Sequence, residues 1–402
     1  MRELFFVVIF LFTIVIKSNS VGFTNVTLSD FAKITIVTCG PGSDLYSLFG
    51  HSAIRVTDQA NKIDLVFNYG TFDFSAPNFY TKFAKGELDY CLSAYAYRYF
   101  PISYIEENRW IDEQLLNIDN ISANNLFKAL LINAQESNRF YRYDFFFDNC
   151  ATRIRDILVR NIPQLDLPSD SLTSNLSFRD QMNHYLTPHP WTRVGLNLAL
   201  GSKCDSKMSN WSFTYLPDNL STFLSNSYIK HNNGRLFRVN LVSSKSRTVN
   251  SYDNVNSDFQ IGPILLIIIL LMFSILTFFY SINIKVVSAI DGVLFFGVGI
   301  LGSIVYFLSF YSSHLICSSN FNTLLISPFY FILLIPNFAS WVKYIKTVLS
   351  YILIIGLFLF VLVGIIGVQT FTVEAYLLAL LLSTRILSQI PSVLGKIGLK
   401  SI

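Results

Sequence analysis

The C-terminal third of the chain consists of apolar runs, each of a length that crosses a bilayer. The runs lie near residues 262–281, 289–311, 322–340, 347–369 and 373–391. About 20 consecutive apolar residues are the usual mark of a transmembrane helix. The fifth run is the least regular, because it contains Glu374 and Arg385. We therefore expect residues 261–392 to form an all-α bundle of about five membrane-spanning helices.

The charges between the runs predict which side of the membrane each loop faces. Lys and Arg are absent from 312–321 and 370–372, whereas lysines occur in the other connections and in the tail 393–402. These lysines are Lys285, Lys343, Lys346, Lys396 and Lys400. Basic loops remain in the cytoplasm. The tail is then cytoplasmic, and everything before the first run lies outside.

The N-terminus supports this orientation independently. Arg2 precedes an apolar stretch from Leu4 to Ile16, which ends in Lys17 and small polar residues. This is the pattern of a secretory signal peptide over residues 1–20, although an uncleaved anchor helix has a similar composition. Under either interpretation residues 21–260 are exported.

Composition excludes some classes of function. Apolar residues make up 52% of the chain, and the formal net charge is only +4, part of it in the cytoplasmic loops. A charge of this size does not favour a nucleic-acid partner. The spacing of His, Cys and acidic residues matches no metal motif, so we expect no metal and no cofactor. Five cysteines, an odd number in an oxidising compartment, leave at least one thiol free.

The exported half is predicted to mix strands and helices, as an α+β domain does. A β-branched run covers 32–37, and 53–56 should pair with 65–67 as a hairpin. Helical spacing appears over 122–137 and 151–160. The Ser- and Asn-rich region 165–260 is expected to be irregular, with 201–260 serving as a periplasmic extension and linker.

Two short segments concentrate reactive side chains, one around His51 and one around Cys150. Cys150 follows a helix-capping Asp-Asn pair, so its thiol would feel the positive end of a helix dipole. A nearby imidazole would take the thiol proton, and the first helical amides would form an oxyanion hole. The spacing alone favours another interpretation, in which Cys150 is a small buried residue and His51 an ordinary strand residue.

Further residues are candidates for the same site. Counting along the hairpin brings Asn68 close to His51 as a third member, and Asp73 is the other candidate. Cys39, a dozen residues before His51, is the second candidate nucleophile. Aromatic residues are dense over 95–110 and 140–147, and some of them are candidates for an apolar wall between bilayer and thiol. His314, in the short outer loop, is a candidate substrate or headgroup contact.

Three motifs resemble those of the Lnb-type periplasmic domain family. They are Cys39-Gly-Pro-Gly-Ser-Asp-Leu-Tyr-Ser-Leu-Phe-Gly-His51, Phe67-Asn-Tyr-Gly-Thr-Phe-Asp-Phe74 and Tyr143-Asp-Phe-Phe-Phe-Asp-Asn-Cys-Ala-Thr-Arg153. The resemblance covers most of residues 25–200. The apolar runs and the loop 313–320 resemble the membrane half that accompanies this domain in lipoprotein N-acyltransferases of Gram-negative bacteria.

The resemblance implies a permuted papain-like fold, with His before Cys, as in lecithin:retinol acyltransferase. It implies that Cys150 takes an acyl chain from a phospholipid as a thioester, with His51 as base. The acceptor would be the α-amine of a diacylglyceryl-cysteine lipoprotein. It implies supporting or substrate-binding roles for other residues of the motifs, namely Tyr46, Tyr69, Asn149 and Arg153. The expected location is the bacterial cytoplasmic membrane, with residues 21–200 forming the periplasmic catalytic domain.

Two other functions fit parts of the sequence. One is a periplasmic cysteine amidase or peptidase acting on cell-wall peptides, although a soluble substrate requires only one anchor helix. The other is a non-enzymatic envelope scaffold, in which Cys150 is structural. An accessible thiol that reacts near neutral pH would distinguish an enzyme from the scaffold.

Overall fold

The structure, a computed structural model, describes residues 26–169, 176–232, 236–249, 262–280 and 282–390. The predicted signal peptide and cytoplasmic tail lie outside the described residues. So does most of the connection just before the first apolar run. The domain boundaries at residues 200 and 260 remain predictions.

A seven-stranded antiparallel sheet organises the described part of the N-terminal half. Its strand order is β10-β5-β1-β2-β3-β4-β6, and a small sheet pairs β7, β8 and β9. The strands are β1 Lys33–Cys39, β2 His51–Asp58, β3 Ile63–Thr71, β4 Asp89–Ala96, β5 Ile111–Leu116, β6 Phe140–Arg142, β7 Leu165–Asp166, β8 Tyr228–Asn232, β9 Leu236–Asn240 and β10 Val242–Val249. The predicted hairpin is confirmed, since β2 pairs with β3 in a register that sets Ile54 opposite Phe67.

Helices are also present before residue 230, some packed on the sheet and others on the C-terminal helices. They are α1 Phe79–Lys85, α2 Pro101–Glu106, α3 Asn120–Asn133, α4 Cys150–Asn161, α5 Phe178–Tyr185, α6 Pro190–Ala199, α7 Asn210–Phe213 and α8 Pro217–Ser225. Strand alternation sends Ile54 and Phe67 to one face, where α3 and α4 cover them with Leu126 and Leu158. Ala53 and Val66 point to the other face, in a second apolar cluster. The predicted α+β class is therefore confirmed.

The expectation of irregular structure over 165–260 is wrong for the described residues. This region contributes several helices, and β10 forms one edge of the large sheet by pairing with β5. Most side chains of β10 are exposed, so its sequence is polar and lacks the alternation that indicates a half-buried strand. Its pairing partner lies more than a hundred residues away, and no local pattern indicates it.

The C-terminal part is helical. Its helices are α9 Gly262–Phe279, α10 Ile284–Phe310, α11 Tyr330–Leu333, α12 Ser340–Ile365 and α13 Val373–Leu387. The third predicted run, 322–340, is not one continuous helix: a 3-10 turn over Phe321–Leu324 precedes the single turn of α11. Pro328 and Pro336 explain the difference, because proline removes a backbone donor and its ring clashes with the preceding helical turn.

Within the described residues, α10 and α12 are long and apolar enough to cross a membrane, judged by length and composition. The outer loops between the helices pack against the N-terminal half. Arg193 of α6 forms an ion pair with Glu374 at 2.9 Å, and Gly201 N donates to Ile316 O at 2.9 Å. These contacted loops are the ones without Lys or Arg, as the predicted orientation requires.

Candidate active site

Cys150 is the first residue of α4, where a capping box fixes the start of the helix. The Asn149 side chain accepts from Thr152 N at 3.0 Å, and Asn149 N donates to the Thr152 hydroxyl at 2.8 Å. The Asn149 amide also donates to Phe145 O and Tyr215 O. Asn149 therefore anchors the position of the Cys150 thiol rather than facing open solvent.

His51 begins β2, directly after a tight turn. Gly50 has φ +75°, and a Cβ there would lie 2.7 Å from Cys39 O, so only glycine fits without strain. Cys39 pairs directly with His51 across the β1–β2 ladder. The turn therefore fixes the position of the His51 side chain at the first residue of β2.

Strand alternation places His51 and Asn68 on the sheet face opposite the one that α4 covers. Cys150 reaches them because it stands at the tip of α4, next to Gly70. A Cβ on Gly70 would lie 3.8 Å from Cys150 Cβ and 3.9 Å from His51 Cε1. Gly70 has φ +89° and interrupts the β3–β4 register. The missing side chain leaves space directly beside the two reactive groups.

Asn68 contacts the imidazole ring of His51 through a ring nitrogen. Its Oδ1 lies 2.6 Å from His51 Nε2, and its Nδ2 donates to Tyr95 OH at 3.3 Å. With Nε2 bonded to Asn68, Nδ1 is the ring nitrogen left for the hydrogen bond to Cys150. The hairpin counting predicted this proximity of Asn68 to His51.

The pKa values of the two groups move toward each other. Burial on its own would raise the pKa of Cys150, but the His51 charge, the His51 hydrogen bond and the Ser52 and Ala151 N–H groups lower it. Burial would lower the pKa of His51, whereas the Cys150 charge and the hydrogen bonds that the ring forms with Cys150 and with the Asn68 amide oxygen raise it. The site therefore favours a thiolate beside an imidazolium, which is the reactive form of a cysteine nucleophile.

Cys39, the second candidate nucleophile, lies in a different environment. Its side chain is fully buried in the middle of the apolar cluster on its face of the sheet. Burial raises the pKa of the Cys39 thiol well above its usual value, despite a hydrogen bond with Tyr104 and the charge of Arg109. A neutral, enclosed thiol is a poor nucleophile, so this geometry favours Cys150.

Three other candidates form hydrogen bonds with groups other than the thiol. The Tyr46 hydroxyl donates to Asp44 at 3.0 Å in an exposed loop. Tyr69 is buried in the core, with its hydroxyl bonded to Asn133 at 2.9 Å. Asp73 accepts from the backbone and hydroxyl of Ser75, which makes it a local turn residue.

The two remaining candidates have structural partners. Arg153 forms a bidentate ion pair with Asp148 and stacks 3.6 Å over the Tyr141 ring, one turn along α4 from the thiol. His314 Nε2 lies 2.9 Å from Phe83 O, which joins the outer loop to α1. Arg153 therefore supports the start of α4, and His314 lies at the junction with the membrane part.

Sequence reasoning missed Gly70, Tyr95 and the Ser52 amide. Gly70 lies in the motif Phe67–Phe74, and its position two residues after Asn68 was the only available signal. No group of three potential metal ligands occurs within the described ranges.

Two family models match the chain. The Lnb N-terminal periplasmic domain matches residues 26–183, and the Lnb transmembrane domain matches residues 254–394. Together they cover most of the sequence. The chain belongs to the Lnb family. No curated protein and no solved structure shows significant similarity to it.

Membership of the Lnb family indicates an acyltransferase of the lipoprotein N-acyltransferase type. The pairing of a periplasmic domain with a transmembrane domain indicates an inner-membrane protein with its N-terminal domain in the periplasm. The particular reaction and the residues that perform it are a separate matter.

Proposed function

We propose that this Lnb protein transfers an acyl chain from a membrane phospholipid to the α-amine of diacylglyceryl-cysteine lipoproteins, through a thioester on Cys150. The observation that carries the proposal is the polarised Cys150–His51–Asn68 arrangement, on a domain packed against the outer loops of a membrane segment. A thioester suits the transfer because amines attack it readily.

The first half-reaction acylates the cysteine. His51 holds the thiol proton, and the Cys150 thiolate attacks the ester carbonyl of the phospholipid. The oxyanion that forms accepts hydrogen bonds from backbone N–H groups at the start of α4 other than Thr152 N, which the Asn149 side chain already occupies. The intermediate collapses with cleavage of the ester C–O bond, and His51 returns its proton to the departing lysophospholipid oxygen.

The second half-reaction releases the chain. The lipoprotein α-amine attacks the thioester carbonyl while His51 removes a proton from the nitrogen. The C–S bond breaks, the amide forms, and Cys150 leaves as the thiolate beside a protonated His51. Asn68 keeps the imidazole oriented through both steps, as the third member of a nucleophile–base–orienter group does. The burial of Cys150 protects the thioester from water.

Intact-mass measurement tests the first half-reaction directly. The purified protein is incubated with vesicles of palmitoyl-oleoyl phosphatidylethanolamine and phosphatidylglycerol, without acceptor. We expect a fatty-acyl mass increase that hydroxylamine removes and that Cys150→Ala lacks. No adduct on a folded protein with a free thiol, and no fatty acid released into solution, would favour the amidase or scaffold alternatives.

Two variants test the roles of the neighbouring residues. His51→Ala should abolish adduct formation, and Asn68→Ala should slow it about tenfold, because the imidazole loses its orientation but not its basicity. Both proteins should keep the wild-type circular dichroism spectrum. An unchanged rate in Asn68→Ala would remove Asn68 from the site.

A further inference from the structure

An aromatic row connects the reactive cysteine to the membrane-side loop. We define the aromatic row as Tyr143, Tyr90, Phe72, Phe79 and Phe83. Successive ring centroids along it are 4.4, 5.1, 5.9 and 6.3 Å apart. Each step is within the range of a direct ring contact. The row is therefore continuous.

The row begins at the reactive centre. A Cβ on Gly70 would lie 3.7 Å from the Tyr143 ring and 3.8 Å from Cys150 Cβ. The space left by the missing side chain of Gly70 therefore borders both the Cys150 side chain and the ring of Tyr143, the first ring of the row. A chain attached to the Cys150 sulfur through its carbonyl could lie along Tyr143 from its first carbons.

The row ends at the outer surface of the membrane part. Phe83 O bonds to the His314 ring at 2.9 Å, and Lys85 O accepts from Ser313 N at 2.7 Å. Residues 313 and 314 immediately follow α10, one of the two long apolar helices. The far end of the row is therefore fixed beside the C-terminal end of α10.

The outer end of the row is exposed, whereas Phe79 within it is buried. Phe83 is 48% exposed, and Phe74, whose ring lies 4.8 Å from Phe72, is 59% exposed. Several large aromatic side chains exposed together usually mark a binding surface. Lys82 and Lys85 lie in the last turn of α1 beside the same loop. Apolar rings next to cationic groups match the two parts of a phospholipid.

We propose that the aromatic row binds the acyl chain of the phospholipid donor between the outer leaflet and Cys150. The row's part in transfer rests on the proposed function, whereas binding of the chain does not. Aromatic faces offer a large apolar area at low cost in conformational entropy, and they replace the contacts that the chain loses on leaving the bilayer.

Photo-crosslinking tests the binding site without chemistry. Full-length Cys150→Ala protein is mixed with vesicles that contain a phosphatidylethanolamine carrying a diazirine within its acyl chain, then irradiated and digested. We expect labelled peptides from 72–83 and from the segment around Tyr143. Label confined to the membrane helices would overturn the proposal. Because this variant cannot form a thioester, the result does not depend on the proposed reaction.

A second experiment measures how the row affects donor choice. Phe74→Ala/Phe83→Ala removes two exposed rings, and Phe31→Ala removes an 84% exposed ring outside the row as the matched control. For each protein, the rate of Cys150 acylation from palmitoyl-oleoyl phosphatidylethanolamine vesicles is divided by the rate from p-nitrophenyl acetate. The acetyl group is too short to follow the row. We expect the ratio to fall about tenfold in the double variant and to stay within about twofold in the control.

The outcomes separate the two proposals. An unchanged ratio, with a thioester still formed, overturns the aromatic row as the acyl site and leaves the reaction intact. Crosslinking to the row without any thioester in the wild type supports the acyl site and contradicts the reaction.

Discussion

At the scale of residues, the reactivity of Cys150 results from opposing effects on one thiol. Burial disfavours the thiolate, while His51 and the amides of Ser52 and Ala151 favour it, and the second group of effects prevails. The same pairing raises the pKa of His51 against the effect of its own burial. Both shifts stabilise the thiolate–imidazolium pair relative to the neutral pair, and the ion pair is lost when acid protonates the thiolate or alkali deprotonates the imidazolium.

Selective alkylation should reveal this state. With iodoacetamide near neutral pH, we expect Cys150 to be modified before Cys39 or Cys204, since burial raises the pKa of Cys204 to about 12. The Cys150 rate should decline as pH falls through its pKa. His51→Ala should slow modification about tenfold or more, because burial then acts unopposed by the imidazolium. Peptide mass spectrometry over a pH series measures each rate, and equal rates for Cys39 and Cys150 would contradict this assignment.

At the scale of elements, a buried ion pair joins the membrane helices. Arg385 of α13 contacts Asp291 of α10 through two bonds of 2.7 and 2.8 Å, and it also donates to Thr277 of α9 at 2.8 Å. The Arg385 side chain is only 2% exposed. A charge in an apolar bundle is tolerated only with such partners, which explains how the fifth run can contain an arginine.

Replacing one member of this ion pair should destabilise the protein more than replacing both members. Asp291→Leu leaves Arg385 without its counter-charge and should reduce the free energy of unfolding by about 3–5 kcal/mol. The double variant Asp291→Leu/Arg385→Met should recover most of that loss, since neither charge then remains. Thermal unfolding in detergent micelles measures both. A double variant as unstable as the single one would show that the contacts with Thr277 matter more than charge balance.

At the scale of the whole molecule, a polar junction fixes the periplasmic domain on the membrane part. Asn320 donates to Leu198 O and Ala199 O, and Gln369 donates to Leu200 O. These bonds satisfy carbonyl groups at the end of α6 that the helix leaves unpaired. The junction therefore holds the reactive site in one position relative to the bilayer.

Two glycines, Gly195 within α6 and Gly201 just after it, allow a test of whether the position of the periplasmic domain on the membrane part matters. A Cβ on Gly201 would collide with the Ser318 carbonyl, whereas a Cβ on Gly195 meets nothing within 4 Å. Gly201→Ala should open the junction and slow acylation from vesicles about tenfold, with Cys150 alkylation unchanged. Gly195→Ala should retain activity and gain about 0.5–1 kcal/mol of helix stability. Hydrogen exchange over 314–320 reports the opening. Wild-type exchange and transfer in Gly201→Ala would mean that the junction adapts.

Local patterns in the sequence were enough to predict the features that depend on neighbouring residues. The cap before Cys150, the hairpin that brings Asn68 to His51, the α+β class and the apolar runs all follow from short-range propensity and periodicity. The family also follows from short motifs.

Long-range contacts decided the rest. The edge strand β10 depends on a distant partner, and Gly70 acquires its importance only where α4 meets the opposite face of the sheet. The aromatic row likewise joins rings from separate elements. Which residues can react and which segments prefer lipid can be read from the amino-acid sequence, because these are properties of single side chains and short runs. Which of them meet depends on how distant segments pack, and so it is known only from the folded molecule.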